Sequence, residues 1–328
     1  MSRTATAVAP SNIALVKYWG KRDGALNLPA AGSLSMTLAG LTTRTTVTFG
    51  DPGPDTLVLG GRDVPAAALG RMRRVLDAVR REAGLTGGAR VVSANDFPTG
   101  AGLASSASGM AALAVAAAAA AGWDADTPTL SRLARLGSGS ACRSVIGGFA
   151  EWLPGERPDG LDSYAVQVAP PEHWPLELLV VVVEEGPKPV SSASGMESTA
   201  ATSPFYEAWI ASVGPDLAAA RAALLARDFD ALARVAQASA VRMHASMMTA
   251  DPMLLYWRPA TLAVMEGVAA LRAAGTPAFF TIDAGPNVKV VVPPGLGGPA
   301  AATLAGLPGV RRVLRSGPGP GAHLVSAQ

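Results

Sequence analysis

The stretch FPTGAGLASSASG, residues 97–109, decides the fold. Pro98 ends what precedes it, and Gly100 and Gly102 follow in a segment with almost no side-chain bulk. Ser105 and Ser106 come next, ahead of a long alanine-rich run that predicts a helix. Glycines without a Cβ let backbone N–H groups converge on a ligand. The first turn of a helix adds unpaired N–H groups and a partial positive charge, which together favour a phosphate. The serine hydroxyls suit a phosphate oxygen or a phosphate-bound metal. A glycine turn capped by serines is the competing reading of these residues taken alone. The pattern, PxxxGLxSSA, is neither a Walker loop with GK[ST] nor GxGxxG.

The chain has 328 residues, 49% of them hydrophobic and 16% charged, which allows a sizeable core and excludes disorder as the main state. A net charge of +2 gives no bulk electrostatic reason to bind nucleic acid or an anionic membrane, although a local cationic pocket stays open. The single cysteine, Cys142, excludes an internal disulfide and a cysteine metal cluster. The first residues, MSRTATAVAPSN, have no apolar signal core. The apolar run from Met110 to Ala121 falls short of the roughly 20 residues a membrane span needs. It reads as a buried helix packed closely through small side chains. These features predict a cytoplasmic, soluble protein.

Residues 3–9 predict a strand ending at Pro10, and 42–49, rich in β-branched residues, another. Residues 66–83 have helical spacing, with arginines on a face that reads most simply as solvated. Residues 89–94 predict a strand leading into the glycine-rich stretch. LLVVVV at 178–183 is a candidate buried central strand. Helices are expected over 204–225, 228–247 and 262–273, and strands over 278–283, 288–292, 310–314 and 322–325. Mixed elements without strict alternation argue for an α+β fold in two packed lobes, 1–185 and 186–328.

PxxxGLxSSA looks like the phosphate loop of the GHMP kinase superfamily. Four further stretches narrow the resemblance: APSNIALVKYWGKRDGALNLP (9–29), GSGSACRSVIGGFAEW (137–152), VSSASGMESTAATS (190–203) and IDAGPN (282–287). Together they resemble the diphosphomevalonate decarboxylase family, and KYWGKRD with SGSACRS is the specific combination. The resemblance implies a GHMP-kinase-type two-lobed fold with the cleft between the lobes, and a homodimer. It also implies the reaction: ATP-dependent conversion of mevalonate 5-diphosphate to isopentenyl diphosphate, with Mg²⁺ arriving on ATP. The implied nucleotide residues are Ser93, Asn95, Gly100, Gly102, Ser105 and Ser106. LLYWRPATLAVM (254–265), which replaces an NDxS-type segment of eukaryotic relatives, departs from the pattern, as does Ala30-Ala31-Gly32.

The chemistry of the residues agrees with this. A substrate bearing a diphosphate and a carboxylate needs several cationic or hydroxyl donors, and Lys17, Tyr18 and Lys21 lie within five residues. In the family, the tyrosine and second lysine help hold the diphosphate. Ser138, Ser140 and Arg143 lie within six residues, and arginine offers a planar fork that fits a carboxylate. The resemblance places Arg143 on the substrate carboxylate with both serines alongside. A core arginine paired with an acid is the structural alternative. Asp283 ends an apolar strand before a glycine turn, where a carboxylate can orient or deprotonate a hydroxyl. A turn or cap aspartate is its alternative. In the family this aspartate faces the 3-hydroxyl, and Ser192, following Lys188 in the chain, lies on the diphosphate. His173, His244 and His323 are scattered without metal-ligand spacing, and Cys142 reads as a small buried residue.

The implied mechanism has two stages. Asp283 orients the 3-hydroxyl with Lys17 beside it, and the γ-phosphate of ATP transfers to that oxygen. Phosphate then leaves while the carboxylate collapses to CO₂. Two alternatives remain at this point. One is a mevalonate monophosphate decarboxylase, or a kinase that stops at the 3-phosphate. The other is a catalytically silent metabolite sensor, which would be expected to lack Asp283, Lys17 or the serine pair.

Overall fold

A computed structural model describes residues 3–97, 105–186 and 188–327. The first layer is an eight-stranded sheet built on two long strands. The first, β1 (Arg3–Val16), pairs antiparallel with β4 (Ser33–Asp51), and a short hairpin of β2 (Lys21–Asp23) and β3 (Leu28–Pro29) connects them. Beyond β4 lie β7 (Gly88–Asn95), then β5 (Thr56–Leu59) and β6 (Arg62–Asp63). The β5–β7 pair is parallel. The other end of β4 pairs with β8 (Phe149–Trp152), which pairs in turn with β9 (Ala165–Ala169).

β1 does not stop at Pro10. A register shift between Pro10 and Asn12 absorbs the missing donor, and the pairing on the other edge of β1 already ends at Val8. The strand therefore carries its pairing with β4 on to Val16, buried throughout from Ala9, and delivers Lys17 to the middle of the molecule. The expected strand at 42–49 is likewise only the far half of β4.

Helices α1 (Gly70–Ala83), α2 (Ser105–Ala120) and α3 (Thr127–Gly137) cover one face of this sheet. In α2 the alanines are buried around most of the circumference, at Ala107, Ala111, Ala112, Ala114, Ala116 and Ala117. Small side chains let the helix sit close on Ala5, Ala7 and Ala9 of β1 in a shared core. The single turn α4 (Ala141–Ser144) follows α3.

The second sheet has the order β11 (Phe279–Ile282), β12 (Val288–Val292), β10 (Glu177–Val182), β13 (Arg312–Ser316), all antiparallel. Between the two sheets lie α6 (Tyr206–Ala226) and α7 (Phe229–Met248), preceded by α5 (Ser192–Thr202). A single core cluster joins Ile13, Leu15 and Met36 of the first sheet, Val213, Leu232 and Met243 of the helices, and Val180 and Phe279 of the second sheet. The opposite face of the second sheet packs on α8 (Pro259–Ala273) and α9 (Gly297–Ala305).

Sheet membership does not change at residue 185. β10 already belongs to the second sheet, where its apolar residues are covered on both faces. The last strand, β14 (His323–Ala327), returns to the edge of the first sheet beside β1. Among the described residues no helix is long and apolar enough to cross a membrane.

Candidate active site

Lys17, Tyr18, Lys21, Ser105, Ser106, Ser138, Ser140, Arg143, Ser192 and Asp283 all line one cavity of about 700 Å³. They reach it from seven places in the chain. Lys17 and Tyr18 follow β1, Lys21 opens β2, and the serine pair begins α2. Ser138 and Ser140 precede α4, Arg143 lies on it, Ser192 begins α5, and Asp283 follows β11.

The floor is an ion pair. Lys17 Nζ donates to Asp283 Oδ1 at 2.6 Å. Lys17 is 1% exposed, whereas 30% of the Asp283 side chain is open to the cavity. Burial lowers the Lys17 ammonium to about 8, against the pull of Asp283 in the other direction. For Asp283, burial favours the neutral acid, but Lys17, Lys289 and Arg143 outweigh it and hold the carboxyl well below the usual carboxylate range. Asp283 caps no helix. Its carbonyl accepts from His244 Nε2 at 3.2 Å, so the His244 ring carries its proton on that nitrogen. The turn is pinned again where Thr261 donates to the Pro286 carbonyl, and where Asn287 Oδ1 accepts from the N–H groups of Val183 and Glu184.

Arg143 is 2% exposed and makes no ion pair among the described residues. Its Nε and Nη2 donate to Asn12 Oδ1 at 3.3 and 3.2 Å, and its Nη1 donates to Ser33. Asn12 is oriented by donating to Ser144 Oγ and the Ser140 carbonyl. A buried guanidinium on neutral partners is a costly arrangement, and an anion in the cavity would relieve it. Tyr18 adds a second unmet need: its buried hydroxyl has no hydrogen-bond partner, while its ring packs edge-on against Trp152 at 4.8 Å. Gly139 makes room for it, because a Cβ there would lie 2.6 Å from the Tyr18 oxygen. Gly20 serves the same segment, turning the chain at φ +113° where a Cβ would meet the Tyr206 hydroxyl.

Ser191 caps α5 by accepting from the Ser194 N–H, which leaves Ser192 to line the cavity. Ser192 accepts from Lys188 Nζ at 2.7 Å, and Lys188 also donates to the Ala284 carbonyl. Lys21 is half-buried at the mouth. The amino end of α2 presents Ser105 and Ser106, with Arg71 and Arg74 of α1 along the same wall.

Two family models match the chain. Residues 9–165 fit the diphosphomevalonate decarboxylase-like N-terminal domain, and residues 178–294 the mevalonate 5-diphosphate decarboxylase C-terminal domain. The chain belongs to the diphosphomevalonate decarboxylase family. It is 41% identical over 312 residues to the diphosphomevalonate decarboxylase of Ganoderma lucidum, across 88% of this chain and 78% of that one. It is 39% identical over 305 residues to that of Homo sapiens, across 87% and 76%. Among solved structures it resembles mevalonate diphosphate decarboxylase from Staphylococcus aureus, with TM-score 0.94, 39% identity and 99% of both chains covered. It also resembles MDDEF in complex with MVAPP, AMPPCP and magnesium, with TM-score 0.93, 40% identity, and 99% and 100% covered.

In this member of the decarboxylase family, Ser93 and Asn95 are not among the described residues that line the cavity. Ser93 shares its hydrogen bond with Thr45 Oγ1 across the sheet, and Asn95 accepts from Thr43 Oγ1, so β7 turns both toward its neighbour strand. Gly100 and Gly102 lie outside the described residues. Two arginines read as solvated, Arg71 and Arg74, are exposed but border the cleft. Sequence reasoning missed Asn12 and Ser33, the supports of Arg143, because small polar residues within strands carry no pattern of their own. It also missed Lys289, whose signal was available: a lysine inside VKVVV, an otherwise all-valine strand. Within the departing segment 254–265, Leu255, Tyr256 and Arg258 border the cavity, and Trp257 packs on His244 at 4.9 Å.

Proposed function

We propose that this cavity performs the family reaction through the residues it gathers. ATP phosphorylates the 3-hydroxyl of (R)-mevalonate 5-diphosphate, and loss of phosphate and CO₂ yields isopentenyl diphosphate, ADP, phosphate and CO₂. One observation carries the reading. An ionised carboxylate, Asp283, stands open to a cleft beside a buried arginine that has no acid paired with it among the described residues. The first suits a hydroxyl that must be aimed at a phosphorus, and the second suits a substrate carboxylate.

Asp283 accepts a hydrogen bond from the 3-hydroxyl. Its low proton affinity means that it orients this group and takes the proton only as the O–P bond forms. Lys17 keeps the carboxylate ionised and in place. Phosphorylation turns hydroxide, a poor leaving group, into phosphate. Arg143 then holds the substrate carboxylate so that the breaking C–C bond lines up with the departing phosphate. Tyr18, Lys21 and Ser192 hold the diphosphate, with Ser138 and Ser140 beside the carboxylate. Ser105 and Ser106, neutral hydroxyls at a helix amino end, fit nucleotide phosphates and their magnesium. That ion neutralises phosphate charge when bound. Among the described residues no group of three or more His, Cys, Asp and Glu side chains could hold a metal.

The deciding assay compares ATP consumption and CO₂ release with mevalonate, its 5-phosphate and its 5-diphosphate. The 5-diphosphate should be the substrate that couples both. Coupling with the 5-phosphate alone would make this a monophosphate decarboxylase. ATP consumption without CO₂ would make it a 3-kinase. The family resemblance also supports a homodimer, which light scattering at working concentration tests.

Two results should follow from the geometry. Lys21→Ala with Ser192→Ala should weaken the 5-diphosphate far more than ATP, because each charged hydrogen bond lost is worth about 1.5–3 kcal/mol. If only the ATP KM rose, these residues would belong to the nucleotide. The second concerns pH. The Lys17 ammonium is lost as pH rises through about 8, so kcat/KM should fall there. No acid limb should come from Asp283 between pH 5 and 8, since its carboxyl stays ionised throughout. His244, lowered by burial to about 4, stays neutral over the same range. Activity undiminished at pH 10 would exclude an essential Lys17 ammonium.

A further inference from the structure

β12 is five residues long and buried throughout, VKVVV. Alternation sends Val288, Val290 and Val292 to the face that packs on α8 and α9. Lys289 and Val291 point the other way, toward α7 and the site, level with Thr281 of β11 and Val180 of β10. A valine or methionine would fill that position without the cost of burying an ammonium group. Lys289 is 1% exposed, and its Nζ reaches two groups. It lies 3.5 Å from Asp283 Oδ2 and donates to the Asn287 carbonyl at 3.2 Å. It thereby ties the first residue of the 283–287 turn to the last.

The two carboxylate oxygens of Asp283 thus have one lysine each, Lys17 on Oδ1 and Lys289 on Oδ2. This matters because rotation about the Cβ–Cγ bond of aspartate is soft, with broad wells. A carboxylate held at one oxygen can swing its other oxygen through a wide arc. Held at both, it keeps its plane. We propose that Lys289 is a positioning residue for the reaction, fixing the carboxylate plane of Asp283 from the inner face of the second sheet so that the cleft-facing edge meets the reacting hydroxyl in one orientation. The proposal rests on the reading of Asp283 as the group that orients this hydroxyl.

The charges facing this pair are Lys17 from the end of β1, Arg143 from α4, Lys188 from the loop before α5, and the neutral ring of His244 from α7. Lys289 is one of the cations that depress Lys17. Its loss should therefore raise the Lys17 ammonium, a change that a purely space-filling residue would not produce.

The test is a double-mutant cycle of Lys289→Met and Asp283→Asn, with kcat, both KM values, pH profiles and thermal midpoints measured on the full chain. Lys289→Met should lower kcat about 10–100-fold, the scale of a displacement near 1 Å. Both KM values should stay within about twofold, and the alkaline limb should move to higher pH. In the Asp283→Asn background the same change should cost little. If Lys289→Met leaves kcat and the alkaline limb in place, or slows the Asp283→Asn variant by its full factor, Lys289 does not act through Asp283 and the proposal is overturned. In either case the reading of Asp283 stands. If Asp283→Asn itself turns over normally, that reading fails and the proposal with it. Should the methionine variant not fold, Lys289→Gln, which keeps a donor for Asn287, carries the same cycle to the same decisions.

Discussion

Asp283→Asn is expected to lower kcat by about 10²–10⁴, the span usual for a positioned acid or base, with substrate KM nearly unchanged. Asparagine keeps the shape and the backbone contact to His244 but presents no charge to the hydroxyl or to Lys17. The two buried lysines behind it would lose their shared counter-charge, and Lys17, already lowered to about 8 by burial, would fall further and become neutral near physiological pH. That relief lets the variant fold, so the loss should appear in turnover and not in yield. The measurement is single-turnover phosphorylation of the 3-hydroxyl alongside steady-state CO₂ release. Near-normal turnover in a correctly folded variant would remove Asp283 from the chemistry.

Arg143→Lys should cost nearly as much, for a different reason. The substitution keeps the positive charge and loses the fork. At present Nε and Nη2 are spent on Asn12, and Nη1 on Ser33, a bracket that fixes the guanidinium plane within the cavity wall. An ammonium on a flexible stem cannot reproduce that bracket and would leave the substrate carboxylate free to rotate. Misalignment near 1 Å costs about 10²-fold. ATP binding should persist, because the nucleotide phosphates are assigned to Ser105 and Ser106, not to Arg143. Parallel ATP binding and CO₂ release on the lysine variant decide the matter: unchanged CO₂ release would reduce Arg143 to a charge, or place it outside the site.

Much of this was legible in the sequence because the cleft is built from short strings with unusual composition. KYWGKRD, SGSACRS and IDAGPN pack polar and charged residues between apolar runs, and an apolar core has no use for them. What was hidden is what holds those strings in place. Asn12 and Ser33 support Arg143 across more than a hundred residues of chain, and neither carries a local signal. Lys289 reads as part of a buried strand because its neighbours outvote it. Pro10 reads as a stop, since in isolation proline ends a strand, and only the pairing with β4 reveals a bulge. Ser93 and Asn95 read as polar residues of a strand, and their hydrogen bonds to Thr45 and Thr43 appear only once the strands are paired. Except for Lys289, whose partners lie within six residues, the deciding partner is distant in sequence.

The helical layer between the two sheets carries one further consequence. Lys17 follows a strand of the first sheet and Asp283 a strand of the second, and α7 touches both: Ser239 accepts from the Lys17 N–H, and His244 donates to the Asp283 carbonyl. The geometry of the ion pair is therefore tied to how α7 packs, alongside the direct bridge where Thr281 Oγ1 donates to the Ala14 carbonyl. In the core it shares with both sheets, α7 buries Leu232, Ala233, Ala236 and Met243, so little slack exists to absorb a larger side chain. A core can tolerate a few tenths of an ångström of swelling with modest loss of stability, whereas bond-making geometry cannot. Catalytic rate in this chain is then a gauge of interior thickness, and it should register crowding in the middle layer long before melting temperature does.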